Sequence, residues 1–308
     1  MPKAEAAFTH SRSMLQSAFA YFRPSLGESL VFFRFRPLFS TAFVLVWLGL
    51  SVFSQTPAPS PTPATGPRTS QSPTALPTPK GGAALSAEQV AEATILFYGY
   101  PAGRVTLNQI RKTTQERGRA KVTTAEGKLE DVPYQRFVIR AESLDKERVR
   151  LDQEFPNARF SLVKADDKIF GLYNNTVFAP RDDASKTFEN QLIHGLEALL
   201  RYKENGSTLE LVGREKHMGV EYYVLDVTDK LQRKTRFFIS VKSFRVMMLN
   251  YEADGVKYRR KFYDYNYAQG TLVPFRTVLW ADDKLVEETE VGTITFGQKV
   301  DEELFKAG

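Results

Sequence analysis

Between residues 221 and 296 the chain alternates apolar and polar positions in short runs, EYYVLDVT, TRFFISVK, FRVMMLNY, VKYRRKFYDYNY, TLVPFRTVLWA and LVEETEVGTITF. They break at Asp229-Lys230, Lys242-Ser243, Asp254-Gly255, Gln269-Gly270 and Asp282-Asp283. A period of two in β-branched and aromatic residues suits a pleated surface, and Gly or Asp at the breaks allows tight reversals, so the pattern predicts an antiparallel β-meander. Upstream, Ser86 with Gln89 forms a capping-box pattern ahead of the stripe Val90, Ala93 and Phe97, which predicts a helix ending at Gly99 and Pro101. Strands are then predicted over 108–117, 119–124, 134–141, 149–155, 159–164, 168–173 and 176–178, with Asp166-Asp167 and Asn174-Asn175 among the turns. Over 183–201 the positions Phe188, Leu192, Leu196 and Leu199 predict one long helix lying apolar side down on the sheet, with His194 on its solvated side.

Two features complicate a simple one-faced sheet. The pairs Tyr222-Tyr223, Phe237-Phe238 and Met247-Met248 put bulky residues on both faces of consecutive strands. Either both faces are covered, or one carries a cavity, or half-exposed aromatic ladders line the outside. In the basic run, alternation puts Lys257, Arg259 and Lys261 with Tyr263 and Tyr265 on a solvated face. Arg260 then lies with Tyr258 and Phe262 on the other, where a lone guanidinium needs a carboxylate or a ligand headgroup.

Before the folded part the pattern changes twice. Residues 38–53, LFSTAFVLVWLGLSVF, carry no charge, follow Arg34 and Arg36, and precede any further cation by many residues. This is an export signal, either cleaved or retained as a membrane anchor, and it directs everything downstream across the membrane. Met14 is an alternative start; otherwise SLVFFRFRP lies along the membrane surface. Residues 55–82 hold half of the 16 prolines and almost no large apolar residue, so they act as an extended spacer. The organisation expected is a leader with signal peptide or anchor over 1–54, a disordered spacer over 55–82 and one folded domain over 83–308.

Charge and candidate chemistry narrow the function. The net charge is +6 overall, but +3 falls within 1–54 and +2 in the spacer, which leaves the folded part at +1. A general electrostatic grip on nucleic acid is therefore not expected. There is no cysteine, hence no disulfide or thiolate chemistry, and the three histidines are too scattered for a metal site. The acidic pairs Asp166-Asp167, Asp182-Asp183, Asp282-Asp283 and Glu287-Glu288 fall mostly in turns, where charge is solvated. No phosphate-cradling glycine loop and no Gly-x-Ser-x-Gly elbow is present, so neither a cofactor nor an enzymatic activity is expected.

The order of motifs resembles the LolA-like periplasmic carriers of outer-membrane lipoproteins. GVEYYVLDVT, TRFFISVKSFRVMML, the tyrosine-rich KFYDYNYAQGTLVPF and the closing VDEELF carry the resemblance, together with the early helix, the run of strands and the mid-chain helix. The resemblance spans 86–308 in pattern rather than identity. It implies a mainly β, α+β fold: a strongly curved antiparallel sheet forming an incomplete β-barrel, with helices packed in or over an apolar hollow. It further implies a periplasmic or cell-envelope protein, anchored in the inner membrane if 38–53 is retained, whose partner is a lipid or a lipidated protein. Strand alternation nominates Leu225, Phe237, Ile239, Phe262 and Leu279, with Arg260, as contacts to that ligand. The departures are the long leader and the spacer. They keep open a second expectation, a membrane-tethered interaction or sensor module with a filled core and no lipid ligand.

Overall fold

The computed structural model describes residues 85–123, 127–156 and 158–307. The leader, export signal and spacer expected over 1–82 lie outside the described residues. Among the described residues, no helix is long and apolar enough to cross a membrane.

Helix α1 (Ala87–Tyr98) begins at the expected box: Ser86 Oγ accepts from the Gln89 amide and Gln89 Oε1 from the Ser86 amide. It stops at Gly99, where a Cβ would stand 2.2 Å from the Gly103 carbonyl oxygen and 2.8 Å from Leu107 Cγ. That close approach folds α2 (Arg104–Ile110) back against α1 and buries Leu107. The strand expected over 108–117 is thereby corrected, because residues 104–110 are helical and one strand, β1 (Thr113–Thr123), replaces the two expected. No side chain caps α2; packing selects it rather than local sequence.

The first half continues as a meander, β2 (Leu129–Ile139), β3 (Arg148–Phe155), β4 (Ala158–Ala165), β5 (Lys168–Tyr173) and β6 (Thr176–Phe178). The second half is β7 (Thr208–His217), β8 (Val220–Thr228), β9 (Lys234–Ser240), β10 (Val246–Ala253), β11 (Val256–Ala268), β12 (Thr271–Ala281) and β13 (Lys284–Phe296). Five of the expected tight turns carry a shared signature. Asp166-Asp167, Asn174-Asn175, Asp254-Gly255, Gln269-Gly270 and Asp282-Asp283 all have positive φ at both residues, as two-residue hairpins of matching twist require. The acidic pairs among them therefore serve geometry.

All thirteen strands form one open antiparallel sheet in the order β6-β5-β4-β3-β2-β1-β13-β12-β11-β10-β9-β8-β7. The fold is mainly β, a curved barrel-like sheet that does not close, with helices. Two meanders meet where β1 pairs with β13. Because β6 and β7 are opposite edges, the chain between them has to cross the sheet. That connection holds α3 (Asp182–Ile193) and α4 (Leu196–Leu200), where one helix over 183–201 was expected. The break falls at His194-Gly195.

His194 is a second correction. It is 2% exposed rather than solvated, its Nδ1 lies 2.6 Å from Thr235 Oγ1, and its ring stacks on Tyr251 at 4.2 Å. The helical break swings the side chain inward. Tyr265 is a third: Asp264 takes a left-handed backbone (φ 53°), so Tyr265 turns to the same side as Phe262. There its hydroxyl donates to the Val246 carbonyl and accepts from Tyr98 of α1. Burial pushes the Tyr98 phenol up to about 12, which keeps this chain of hydroxyls neutral.

Candidate ligand-binding hollow

The side chains over β8–β12 are packed tightly against α1 and α4. Leu225, Phe237 and Ile239 are fully buried there, with Phe262, Val90, Ile95 and Leu199 in the same cluster. Leu279 belongs to a separate small cluster with Ala281 and Val286. The structure thus places three of the nominated residues in filled core, Leu279 beside it, and Phe262 and Arg260 on the wall of a cavity of about 260 Å³.

The cavity lies between the other part of the sheet and the crossing helices. Tyr134, Arg136 and Val138 of β2, Val149 and Leu151 of β3, Arg260 and Phe262 of β11 and Glu287, Thr289 and Val291 of β13 supply one side. Phe188 and Leu192 of α3 and Leu196 and Glu197 of α4 supply the other. Spacing by two puts these strand residues on one face. Along β13 the phase changes at Gly292, the extra residue of a bulge opposite Arg117-Gly118, so that Ile294 and Phe296 also reach the cavity. Gly118 permits the arrangement: a Cβ there would lie 2.1 Å from the Glu290 carbonyl oxygen and 2.9 Å from the Tyr134 ring.

The resemblance implied an apolar lining, and the lining is mixed. Four arginines and four glutamates face the hollow among apolar residues. Arg136 Nη2 donates to Glu116 at 2.9 Å, and Tyr134 donates to the other Glu116 oxygen at 2.8 Å. Burial and the adjoining Glu116 carboxylate raise the Tyr134 phenol far above its ordinary value. Arg136 keeps 40% of its side chain accessible although protein surrounds it, as a group facing an internal space does. Arg111 and Arg140 share Glu197, at 2.8 and 3.4 Å. Burial alone would raise the Glu197 carboxyl, but the guanidiniums of Arg111 and Arg140 outweigh it and hold the group below its usual range. Glu147 is paired with Arg201, yet burial pushes it up to about 7.

Two charges on the wall stand apart. Arg260 makes one long hydrogen bond, Nη1 to the Gln191 carbonyl at 3.4 Å, and joins no ion pair among the described residues. Glu287 accepts from Thr289 Oγ1 at 2.7 Å and likewise joins no ion pair there. Of the candidate contacts, sequence reasoning found Arg260 and Phe262. It missed Glu116, Arg136, Arg140, Glu147 and Glu197, although Tyr134, Arg136 and Val138 alternate along β2 and Arg140 continues the spacing just past its end. A guanidinium recurring on an otherwise apolar strand face was the available signal.

A second cavity of about 210 Å³ lies by the β8–β9 connection, lined by Ser143, Asn205, Ser207, Arg233 and Thr235 among others. Asn205 Oδ1 accepts from the Leu144 amide, while its Nδ2 is shielded and without a partner. Among the described residues, no group of His, Asp or Glu could hold a metal ion.

No family model matches the chain, and no curated protein matches it in sequence. Solved structures do match. A DUF1329 family protein from Desulfovibrio piger aligns over 72% of this chain and 97% of its own, with TM-score 0.50 and 9% identity. A LolA superfamily protein from Nitrosomonas europaea aligns over 72% of this chain and 98% of its own, with TM-score 0.48 and 13% identity. A provisionally named outer membrane lipoprotein-sorting protein domain from Vibrio parahaemolyticus covers 63% of this chain and 88% of its own, with TM-score 0.45 and 11% identity. The open curved sheet with helices lying over its hollow is the architecture that the motif order implied. At the level of fold, the chain is similar to the Desulfovibrio piger DUF1329 family protein. At these identities the likeness concerns the fold alone. The hollow of this chain carries a charged belt of four arginines and four glutamates.

Proposed function

We propose that this protein is an exported, non-catalytic carrier or receptor of the cell envelope that binds an amphiphile, a lipid or the acyl chain of a lipidated protein, in the hollow beneath α3 and α4. The observation that carries this reading is a cavity of about 260 Å³ whose walls join apolar side chains to a charged belt, beside a sheet region packed against α1 and α4. It exceeds the roughly 150 Å³ apolar cavity that takes a benzene molecule, so it admits a short stretch of hydrocarbon without rearrangement. Each methylene taken from water contributes about 0.8 kcal/mol, which favours apolar length over chemical detail. The motif order, which resembles that of the LolA-like carriers, supports a place among lipoprotein-sorting or lipoprotein-transport proteins, and with it a periplasmic or envelope location. Residues 38–53 support export, with membrane attachment if that segment is retained.

A specific observation also favours the alternative of a tethered interaction or sensor module. Leu225, Phe237 and Ile239 are wholly buried under α1 and α4, so that half of the sheet is scaffold. The two readings separate on one experiment. The full chain is expressed with its own leader in a bacterial host, purified without detergent exchange, and extracted for lipid mass spectrometry. Stoichiometric co-purifying lipid is expected. A lipid-free protein that takes up no lipid from vesicles would leave only the interaction module.

A further inference from the structure

The wall of the hollow carries two charges that the protein itself does not neutralise, and they stand in one row of the sheet. Arg260 of β11 pairs with Leu279 of β12, and Leu279 pairs with Glu287 of β13. Residues paired directly across antiparallel strands point to the same face. Two strand spacings of about 4.8 Å set the two backbones roughly 10 Å apart, with an apolar side chain between them. The remaining charges of the lining are consumed locally, Arg136 by Glu116, Arg111 and Arg140 by Glu197, and Glu147 by Arg201.

An unpaired charge in a partly desolvated site is costly, and a ligand that supplies the counter-charge recovers that cost. The planar guanidinium of Arg260 suits a phosphate or carboxylate that can accept two N–H groups. The carboxylate of Glu287 suits an ammonium. A neutral headgroup would leave both side chains unpaired, and a purely anionic one would face Glu287 with a like charge. Phe262, Phe188 and Leu192 line the same cavity and supply the apolar contact for a tail. We propose that the hollow selects amphiphiles with a zwitterionic headgroup, the anionic group on Arg260 and the ammonium toward Glu287. This rests on the reading of the hollow as an amphiphile site.

The test uses the delipidated full chain and three single-chain lipids of one acyl length: a neutral monoacylglycerol, an anionic lysophosphatidic acid and a zwitterionic lysophosphatidylethanolamine. Affinity is read by displacement of an uncharged fluorescent alkyl probe. The zwitterion is expected to bind about tenfold more tightly than either other lipid, as one charge-assisted contact is worth. R260Q should reduce the phosphate-bearing lipids to the level of the neutral one. E287Q, which keeps an oxygen for Thr289, should abolish the advantage of the zwitterion over the anion. Melting temperatures near that of the unaltered protein confirm that both variants are folded. Equal affinity for all three lipids would overturn the headgroup selection and leave amphiphile binding intact. Tighter binding of the anion than of the zwitterion would overturn the role of Glu287. Probe uptake by none of the proteins would overturn the amphiphile reading itself.

Discussion

At His194 the backbone leaves one helix before entering the next, and the imidazole enters the core between Thr235 and Tyr251. Burial, with Arg233 adding to it, lowers its pKa from 6.5 to about 4. The folded protein therefore refuses a proton that the unfolded chain accepts. The stabilisation is fully present above about pH 6.5 and is lost as pH falls through 4, to a total of about 3 kcal/mol. Urea denaturation at pH 7.5 and 4.5 checks this: the unaltered protein should lose more stability between the two than His194→Gln does. Equal losses would contradict the account. Gly118 offers a steric test. An added methyl would meet the Glu290 carbonyl at 2.1 Å, so Gly118→Ala should cost about 1–3 kcal/mol, measured as a lower Tm. The inward positions of His194 and Tyr265 are not legible in the sequence. His194 falls on the polar side of an unbroken helix, and Tyr265 falls outside until Asp264 reverses the phase. One residue in an unusual conformation defeats a periodicity argument.

Among the elements, the strands from β10 to β13 were legible because the turns that join them, Asp254-Gly255, Gln269-Gly270 and Asp282-Asp283, are dipeptides that tolerate positive φ at both positions. The capping box marked the start of α1 just as plainly. Elements defined by packing were not legible. Helix α2 lacks a side-chain cap and depends on Leu107 seating against Gly99. Strand β7 sits at the edge of the sheet with Glu210, Arg214, Glu215 and Lys216 exposed, so it shows no buried stripe to read. Charge along an exposed edge also discourages pairing with another chain. Hydrogen exchange should accordingly find the β7 amides exchanging well before those of β9 and β10, whose strands are paired on both sides; uniform protection would contradict the sheet order. The crossing helix α3 rests on Phe188, which is 5% exposed and packs on Val149 and Leu162. Phe188→Ala should cost about 3–5 kcal/mol in a denaturant titration, and a cost under about 1 kcal/mol would show that α3 is not packed as described.

For the whole molecule, the expectation of an open curved sheet with helices over its hollow came from the order of motifs, and the sheet has that form. The position of the hollow could not be read in advance. Strand alternation reports which face a residue points to, whereas the filling of that face depends on helices that arrive from elsewhere in the chain. Thus Leu225 and Phe237 face α1 and α4 in a filled core, and Phe262, on the same side of the sheet, also borders the cavity. The charged belt follows from the same topology. The segment from α3 to α4 must pass from one sheet edge to the other, and it brings Glu197 against Arg111 and Arg140, which the sequence separates widely. The central claim is that the hollow under this crossing segment holds hydrocarbon. The most direct measurement compares lipid content, by mass spectrometry after extraction, between the full chain and Val138→Phe, which adds a ring to a half-buried wall position of the cavity. The account predicts about one lipid per unaltered protein and a severalfold loss in a folded variant. Equal lipid content in the two proteins, or none in either, would contradict it.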